Sequence, residues 1–247
     1  MKNVKKKKLR LAIGIPLGAV LLLTLAFFLY FGAYYRAGSE AEKTLVSGEV
    51  RVEKVDFGYF FDGPGKERAL IFYPGAKVEE EAYAPLLSKL AAGGVDAFLM
   101  KMPFRFALFK PDAAETVLKR YAYGEYFLGG HSLGGVTAAW FASEHPEKIK
   151  GVVLLAAYPT RPLGRDQTEI VIYGSEDGVL NRERLIEGRQ YAAGNFTERV
   201  IEGGNHAYFG DYGEQKGDGE ARVSPEEERE TAAEAILAAL GNAGEKR

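Results

Sequence analysis

The pentapeptide at residues 130–134, Gly-His-Ser-Leu-Gly, has the spacing of a serine nucleophile. It places Ser132 between glycines two residues away on either side, after an apolar segment and before a helical one. Such glycines permit a sharp turn from strand to helix that raises the hydroxyl above a sheet. A glycine-rich turn with a capping serine would share this pattern. The strand before and the helix after favour a nucleophile.

A serine hydroxyl becomes nucleophilic when a neighbouring imidazole takes its proton and an acid orients that imidazole. The sequence has three histidines. His131 lies beside the serine, and we expect its side chain to point away from a shared reacting centre. His145 lies at a predicted helix end, where a solvated surface site is the expectation. His206, in a loop just after the last predicted strand, is therefore the predicted base.

The predicted acid is Asp177, which follows an apolar strand at its C-terminal end, where parallel sheets collect functional groups. Glu176 and Asp211 remain alternatives.

The oxyanion formed during acyl transfer needs two preorganised N–H donors. We assign these to the amide of Leu133, next to the nucleophile, and to the amide of Ala76, in the turn after an earlier strand.

Strand-like and helix-like segments alternate along the chain, and this order predicts a mostly parallel sheet with helices on both faces. Residues 58–66 carry turn signals, and the dozen residues between the strands near 156 and 170 leave no room for a cap domain. The predicted strands cover residues 49–57, 69–73, 95–100, 126–128, 151–156, 170–173 and 197–201, and the predicted helices cover 79–92, 112–120, 137–143, 182–192 and 225–240.

These motifs resemble the α/β-hydrolase superfamily, closest to its small, lid-less dienelactone-hydrolase-like branch. The resemblance covers about residues 49–240 and includes segments 71–76, 130–134, 173–178 and 203–206. The chain is similar also to bacterial membrane-anchored α/β hydrolases, through Lys-Met-Pro-Phe at residues 101–104 and the segment 205–213. The resemblance implies an acyl-enzyme mechanism with Ser132, Asp177 and His206 as the triad. The chain departs from the superfamily in having Pro74-Gly75 where His-Gly is frequent, and it departs from the dienelactone hydrolases proper, whose nucleophile is a cysteine, in having no cysteine.

The N-terminal region predicts an anchor. Residues 1–10 contain six Lys or Arg and form a basic cytosolic tail, and residues 11–31 carry no charge. As a helix the uncharged run is long enough for a hydrocarbon core of about 30 Å. A cleaved signal peptide is the alternative, although its apolar region is usually shorter. The expectation is an N-terminal transmembrane helix at 11–31, a tether at 32–48 and an extracytoplasmic hydrolase domain at 49–247, by the positive-inside rule.

Composition narrows the function classes. The chain has no cysteine, which excludes thiolate catalysis, and residues 11–247 carry a net charge of −8, unlike a nucleic-acid-binding surface. We expect hydrolysis of a small-molecule ester or related acyl compound, without metal or organic cofactor. An acyltransferase with the same triad and a non-catalytic binding protein remain alternatives, and the oligomeric state is not specified. We expect the site to be open or to be covered by two loops, 102–111 and 207–221. The second loop is rich in glycine, and a flexible surface connection to the last helix is an equal alternative for it. Five aromatic residues are candidates for an apolar acyl pocket, although aromatic residues of this kind are more often part of the core: Phe104, Phe106, Phe109, Tyr208 and Phe209.

Overall fold

The computed structural model describes residues 18–242. The chain divides between Tyr34 and Tyr35 into two units. The predicted basic tail at 1–10 and residues 11–17 of the predicted apolar span lie outside the described residues.

Helix α1 covers residues 18–32 of the first unit. It carries no charged residue, and its aliphatic side chains are exposed, for example Leu22 at 69% and Leu23 at 71%. Within residues 18–242, no helix combines the length and the apolar character that crossing a membrane requires.

The second unit is built on a single eight-stranded sheet with strand order β1-β2-β4-β3-β5-β6-β7-β8. Strand β2 runs antiparallel to its neighbours β1 and β4, and every pair from β4 through to β8 is parallel. The strands are β1 (Arg51–Val55), β2 (Gly58–Asp62), β3 (Arg68–Tyr73), β4 (Asp96–Met100), β5 (Glu125–His131), β6 (Gly151–Leu155), β7 (Thr168–Gly174) and β8 (Asn195–Ile201).

Helices cover both faces of this sheet, because successive side chains of a buried strand point to opposite faces. Along β3, Leu70 and Phe72 belong to a first core, beneath α2, α3 and α7, whereas Ala69 and Ile71 belong to a second core, beneath α4, α5 and α6. The predicted α/β-hydrolase architecture is therefore found. The helices are α2 (Ser39–Ser47), α3 (Ala84–Ala92), α4 (Ala114–Arg120), α5 (Leu133–Glu144), α6 (Arg182–Gly188) and α7 (Pro225–Asn242).

The prediction of a turn over residues 58–66 is wrong, because β2 lies there. The predicted strand at 49–57 contains only β1, and the chain reverses at residues 56 and 57 into a hairpin. Gly58 permits this reversal, since its φ is +144° and a Cβ there would lie 1.9 Å from the Leu99 carbonyl oxygen. The turn signals obscured a strand whose backbone pairs with both neighbours.

The predicted tether at 32–48 is also folded structure. Helix α2 occupies Ser39–Ser47 and buries Ala41 in the first core. Upstream, Tyr35 forms a parallel bridge with Val78. Its amide donates to the Lys77 carbonyl at 2.7 Å, and its carbonyl accepts from the Glu79 amide at 2.9 Å. The hydrolase domain therefore begins at Tyr35, ahead of the predicted start at residue 49.

Two connections bear on access to the C-terminal edge of the sheet. Residues 156–167, between β6 and β7, contain neither helix nor strand, so no cap domain is inserted there. The 207–221 loop is tied down, because the Asp211 amide donates to the Ala82 carbonyl at 2.7 Å and Tyr212 is buried in the first core. It packs beside the sheet edge as part of the domain.

Candidate active site

Ser132 occupies the turn between β5 and α5 in a strained backbone conformation, with φ 53° and ψ −126°. For a residue with a side chain, such angles cost on the order of 1–3 kcal/mol and cluster at functional sites. The Ser132 amide donates to the Leu155 carbonyl at 2.8 Å, and its carbonyl accepts from the Val136 amide at 3.1 Å. The side chain is half-buried. The backbone is thus fixed on both sides while the hydroxyl is presented at the turn.

The glycines of the motif are required by close backbone approach. A Cβ at Gly130 would lie 2.6 Å from the Tyr73 carbonyl oxygen, and one at Gly134 would lie 2.3 Å from the carbonyl oxygens of both Tyr73 and Pro74. The start of α5 therefore packs directly against the turn that follows β3. This contact places the proposed nucleophile next to the proposed oxyanion turn.

Asp177 and His206 form a buried pair at the ends of β7 and β8. His206 Nδ1 lies 2.9 Å from Asp177 Oδ2, and the two residues are 1% and 6% exposed. The other oxygen, Oδ1, accepts from the amides of Val179 at 2.9 Å and Leu180 at 2.7 Å. Because the carboxylate accepts on both oxygens, it assigns the ring proton to Nδ1. His206 Nε2 is then an acceptor.

The other carboxylates and histidine considered from the sequence have different contacts. Glu176 accepts from the Ser175 hydroxyl at 3.0 Å and pairs with Arg222, and Asp211 accepts from the Ala41 amide at 2.8 Å at the start of α2. His145 packs on Phe141, with ring centroids 4.3 Å apart. Among these acids, Asp177 is the one that contacts His206.

His206 lies next to the turn that carries Ser132. Its ring centroid is 4.5 Å from that of His131, the residue immediately before the serine. This arrangement contradicts the expectation that His131 points away. The buried Nε2 of His206 has no hydrogen-bonding partner among residues 18–242. The described site therefore holds an oriented imidazole with an unused acceptor beside the serine turn.

Asp218 joins the loops that carry His206 and Asp177, and the sequence reasoning did not identify it. Its carboxylate accepts from the amides of His206 at 2.9 Å, Ala207 at 2.9 Å and Gly178 at 3.1 Å. Asp218 lies between two glycines in a segment that read as a flexible connection. An acid enclosed by glycines, twelve residues after the histidine, was the available signal.

The turn after β3 contains one amide that is not engaged. Gly75 donates to the Tyr83 hydroxyl at 3.0 Å, Lys77 to the Arg105 carbonyl at 2.9 Å, and Val78 to the Gly75 carbonyl at 3.3 Å. Pro74 has no N–H. Within the described chain the Ala76 amide donates to no residue, and the same is true of the Leu133 amide. These are the two amides that the sequence assigned to the oxyanion.

A buried tyrosine connects this turn to His131. Tyr83 is fully buried, and its hydroxyl accepts from the Gly75 amide while lying 2.7 Å from His131 Nδ1. Burial, and secondarily the charge of nearby His206, hold the pKa of His131 well below its ordinary value. His131 is therefore neutral at physiological pH. In the sequence, Tyr83 counted only as part of an apolar helical stripe.

The predicted acyl-pocket aromatics divide into two groups. Phe104 and Phe109 are 47% and 50% exposed on the 102–111 loop and contact one another edge to face. Phe209 is fully buried in the first core, and Tyr208 packs partly buried against it. For Phe209 the core alternative therefore holds, because this side chain packs under the sheet edge.

Comparison with known proteins agrees with the fold of the domain. A curated relative, a pyrethroid hydrolase from Sphingobium wenxiniae, is 46% identical over 97 residues, which cover 37% of this chain and 33% of that protein's length. Two similar folds are Est1E from Butyrivibrio proteoclasticus (TM-score 0.55, 16% identity, 78% of this chain and 99% of that one) and a dienelactone hydrolase from Anabaena variabilis (TM-score 0.54, 13% identity, 78% and 96%). The sequence model of the Alpha/beta hydrolase family matches residues 69–230, more than half of the sequence. The chain therefore belongs to the α/β hydrolase family.

Proposed function

We propose that this protein is a serine hydrolase that cleaves an ester or a related acyl bond, with Ser132, Asp177 and His206 as its triad. The observation that carries the proposal is the buried Asp177–His206 pair, 2.9 Å apart, whose Nε2 has no partner among residues 18–242 and whose ring lies 4.5 Å from that of His131, the residue before Ser132. The strained φ of 53° at Ser132 supports the same role.

The first half of the reaction forms an acyl-enzyme. His206 Nε2 takes the proton of the Ser132 hydroxyl as its oxygen attacks the substrate carbonyl. Asp177 holds the Nδ1–H and stabilises the imidazolium that forms. The amides of Ala76 and Leu133 donate to the oxyanion of the tetrahedral intermediate. Collapse of the intermediate breaks the ester bond, and the leaving alcohol takes the proton from Nε2.

The second half releases the acid. Water gives a proton to His206 Nε2 and attacks the acyl carbonyl, and the same two amides hold the second oxyanion. The bond to Ser132 then breaks and its oxygen regains the proton. These steps need no metal or organic cofactor, because the charge in each intermediate is balanced by Asp177, His206 and the two amides.

The chemistry of the relatives supports an ester as substrate. One matched relative is a pyrethroid hydrolase, aligned over a third of its length. The open, partly apolar 102–111 loop, with Phe104, Leu108 and Phe109 each 44–50% exposed, offers a surface to an apolar acyl or alcohol group. No cap domain is inserted at residues 156–167 to restrict the size of the substrate.

The sequence supports an extracytoplasmic location at the cell membrane. The basic residues of 1–10 are expected to stay in the cytosol, with the uncharged run at 11–31 as anchor and the domain outside. The open aliphatic side chains of α1, such as Leu23 at 71%, require cover from water. Fractionation of cells that express the full chain tests this: the protein should remain with membranes after a high-salt wash. Release by salt alone would contradict an anchor.

Labelling by a fluorophosphonate probe tests the proposed nucleophile. The wild-type protein should label, and Ser132→Ala should not. His206→Ala should retain its fold by circular dichroism and lose several orders of magnitude in turnover of an activated ester, as triad removals generally do. A folded wild-type protein that neither labels nor turns over esters would favour a binding protein. Product analysis with and without an added alcohol separates hydrolysis from acyl transfer.

A further inference from the structure

We propose that Tyr83, together with His131, is the positioning element of the oxyanion turn, and that it sets the donor geometry of the Ala76 amide. The inference rests on the proposed function, because it assigns Ala76 as an oxyanion donor. Its basis is a buried chain of hydrogen bonds that runs from the Gly75 amide through the Tyr83 hydroxyl to His131 Nδ1.

The direction of this chain follows from its donors. The Gly75 N–H donates to the tyrosine oxygen, and we assign the hydroxyl proton to the other neighbour, His131 Nδ1, 2.7 Å away. Nδ1 is then an acceptor and the ring proton lies on Nε2, which has no hydrogen-bonding partner among residues 18–242. Neutral His131 fits this role, and its pKa is lowered mainly by burial. A second proton, on Nδ1, would remove this acceptor of the tyrosine hydroxyl.

The chain leaves Ala76 as the unengaged amide of its turn. Tyr83 occupies the N–H on one side of Ala76, and the Arg105 carbonyl occupies the Lys77 N–H on the other, at 2.9 Å. Lys77 itself has a φ of 61°, a left-handed conformation that reorients the peptide after Ala76. The turn is therefore held at both flanking amides, and its remaining donor is free for a substrate oxygen.

The location of Tyr83 links the oxyanion turn to the catalytic histidine. Its ring packs on Phe72, with centroids 5.1 Å apart, in the first core, and His131 lies between the Tyr83 and His206 rings, 5.7 Å and 4.5 Å from them. A displacement of Tyr83 would thus move the Ala76 amide that donates to the oxyanion, rather than affect substrate binding alone. A donor that is displaced but not removed should lower kcat by about 10- to 100-fold, less than the loss of a donor.

Tyr73 supplies a matched control. It is also fully buried, and its hydroxyl accepts from the Ala114 amide at 2.8 Å and donates to the Pro111 carbonyl at 2.9 Å. Tyr73→Phe removes the same group from the same kind of site and leaves the backbone of residue 73 in place, but this hydroxyl is bonded to Pro111 and Ala114 and to no amide of residues 74–78. Both phenylalanine variants should lose similar thermal stability.

The experiment compares Tyr83→Phe, Tyr73→Phe and wild type in full-length protein, by p-nitrophenyl acetate kinetics and by amide hydrogen exchange. We expect Tyr83→Phe to lower kcat about 10- to 100-fold with KM within twofold, and to speed exchange at Gly75. Tyr73→Phe should keep kcat within twofold and speed exchange at Ala114 instead. Equal kcat losses in both variants, or a folded Tyr83→Phe with normal kcat, would overturn the proposal.

Two further arms keep the outcome decisive. If Tyr83→Phe does not fold, His131→Phe removes the acceptor of the tyrosine hydroxyl at similar volume and should produce the same kcat loss; normal kcat would refute the chain. If wild-type protein shows no turnover and no fluorophosphonate label, the proposed function fails. The exchange of Gly75 then still decides the structural part: unchanged exchange in Tyr83→Phe would show that the tyrosine does not hold the turn.

Discussion

Replacing Asp218 by alanine tests whether one carboxylate positions the catalytic loops. Besides a local bond from the Gly219 amide at 2.8 Å, it accepts from three amides of the catalytic loops, those of His206, Ala207 and Gly178, at 2.9–3.1 Å. Hydrogen bonds to a charged group contribute about 1.5–3 kcal/mol each when buried. Because Asp218 is half-exposed, about 1 kcal/mol for each of the three is reasonable, or about 3 kcal/mol in all.

That loss should lower Tm by roughly 6–12 °C for a domain of this size. The larger consequence is for turnover, since the His206 backbone would no longer be held relative to the Asp177 turn. A misplacement of about 1 Å costs on the order of 100-fold in rate. We expect Asp218→Ala to lower kcat about 100-fold on p-nitrophenyl acetate, and Asp218→Asn, which keeps one acceptor oxygen, about 10-fold.

Asp211 is the matched control. It lies on the same loop, is half-exposed, and its side chain also accepts from a backbone amide, that of Ala41 at 2.8 Å. Asp211→Ala should cost about 1 kcal/mol of stability and leave kcat within twofold. A kcat for folded Asp218→Ala within threefold of wild type would refute the positioning role. An equal kcat loss in both variants would refute it too, because the loop as a whole would then be responsible.

Three further outcomes are expected. Burial raises the pKa of Glu228 to about 8, whereas an unfolded glutamate titrates near 4.3. The contribution of protonated Glu228 to the free energy of unfolding is therefore complete below about pH 4.3 and is lost as the pH rises to about 8. In thermal unfolding, Glu228→Gln should match wild type at pH 5 and exceed it at pH 9; an identical difference at both pH values would contradict the shift. Gly134→Ala should lower both stability and turnover, because its Cβ would lie 2.3 Å from two carbonyl oxygens, whereas Gly241→Ala, with no atom within 4 Å, should be tolerated in urea unfolding. Deletion of residues 1–31 should leave a soluble, active domain, but deletion of 1–48 should abolish turnover because it removes the backbone bonds between Tyr35 and the oxyanion turn; an active shorter protein would show that this brace is dispensable.

Much of the fold follows from local patterns. An apolar run that ends at Pro74-Gly75 predicted β3, and one that follows Gly93-Gly94 predicted β4. A capping serine followed by proline and glutamate predicted α7. These signals act within a few residues, so they survive without tertiary information. β2 was missed because its turn residues, Gly58 and those near Pro64, flank a strand whose pairing partners lie elsewhere in the chain.

The candidate site divides in the same way. Ser132, Asp177 and His206 follow predicted strands in a fixed order, and that order was readable. Asp218 and Tyr83 act through backbone amides of segments that meet only in the fold, so residue type and spacing could not assign them. Likewise, the role of residues 35–47 depends on a bridge to Val78 and on burial of α2, neither of which leaves a periodic signal.

The two cores on opposite faces of the sheet have a consequence for how the enzyme fails. Helix α5, which follows Ser132, packs in the second core, as does Leu180 beside Asp177, whereas Ala207 and Phe209, next to His206, pack in the first. The proposed nucleophile and the proposed base thus lie beside cores on opposite faces of the sheet. A shift of one layer relative to the other by a fraction of a bond length would separate Ser132 from His206 while both hydrophobic cores remained closed to water. In rising denaturant, ester turnover should therefore disappear at a lower concentration than the helical circular dichroism signal.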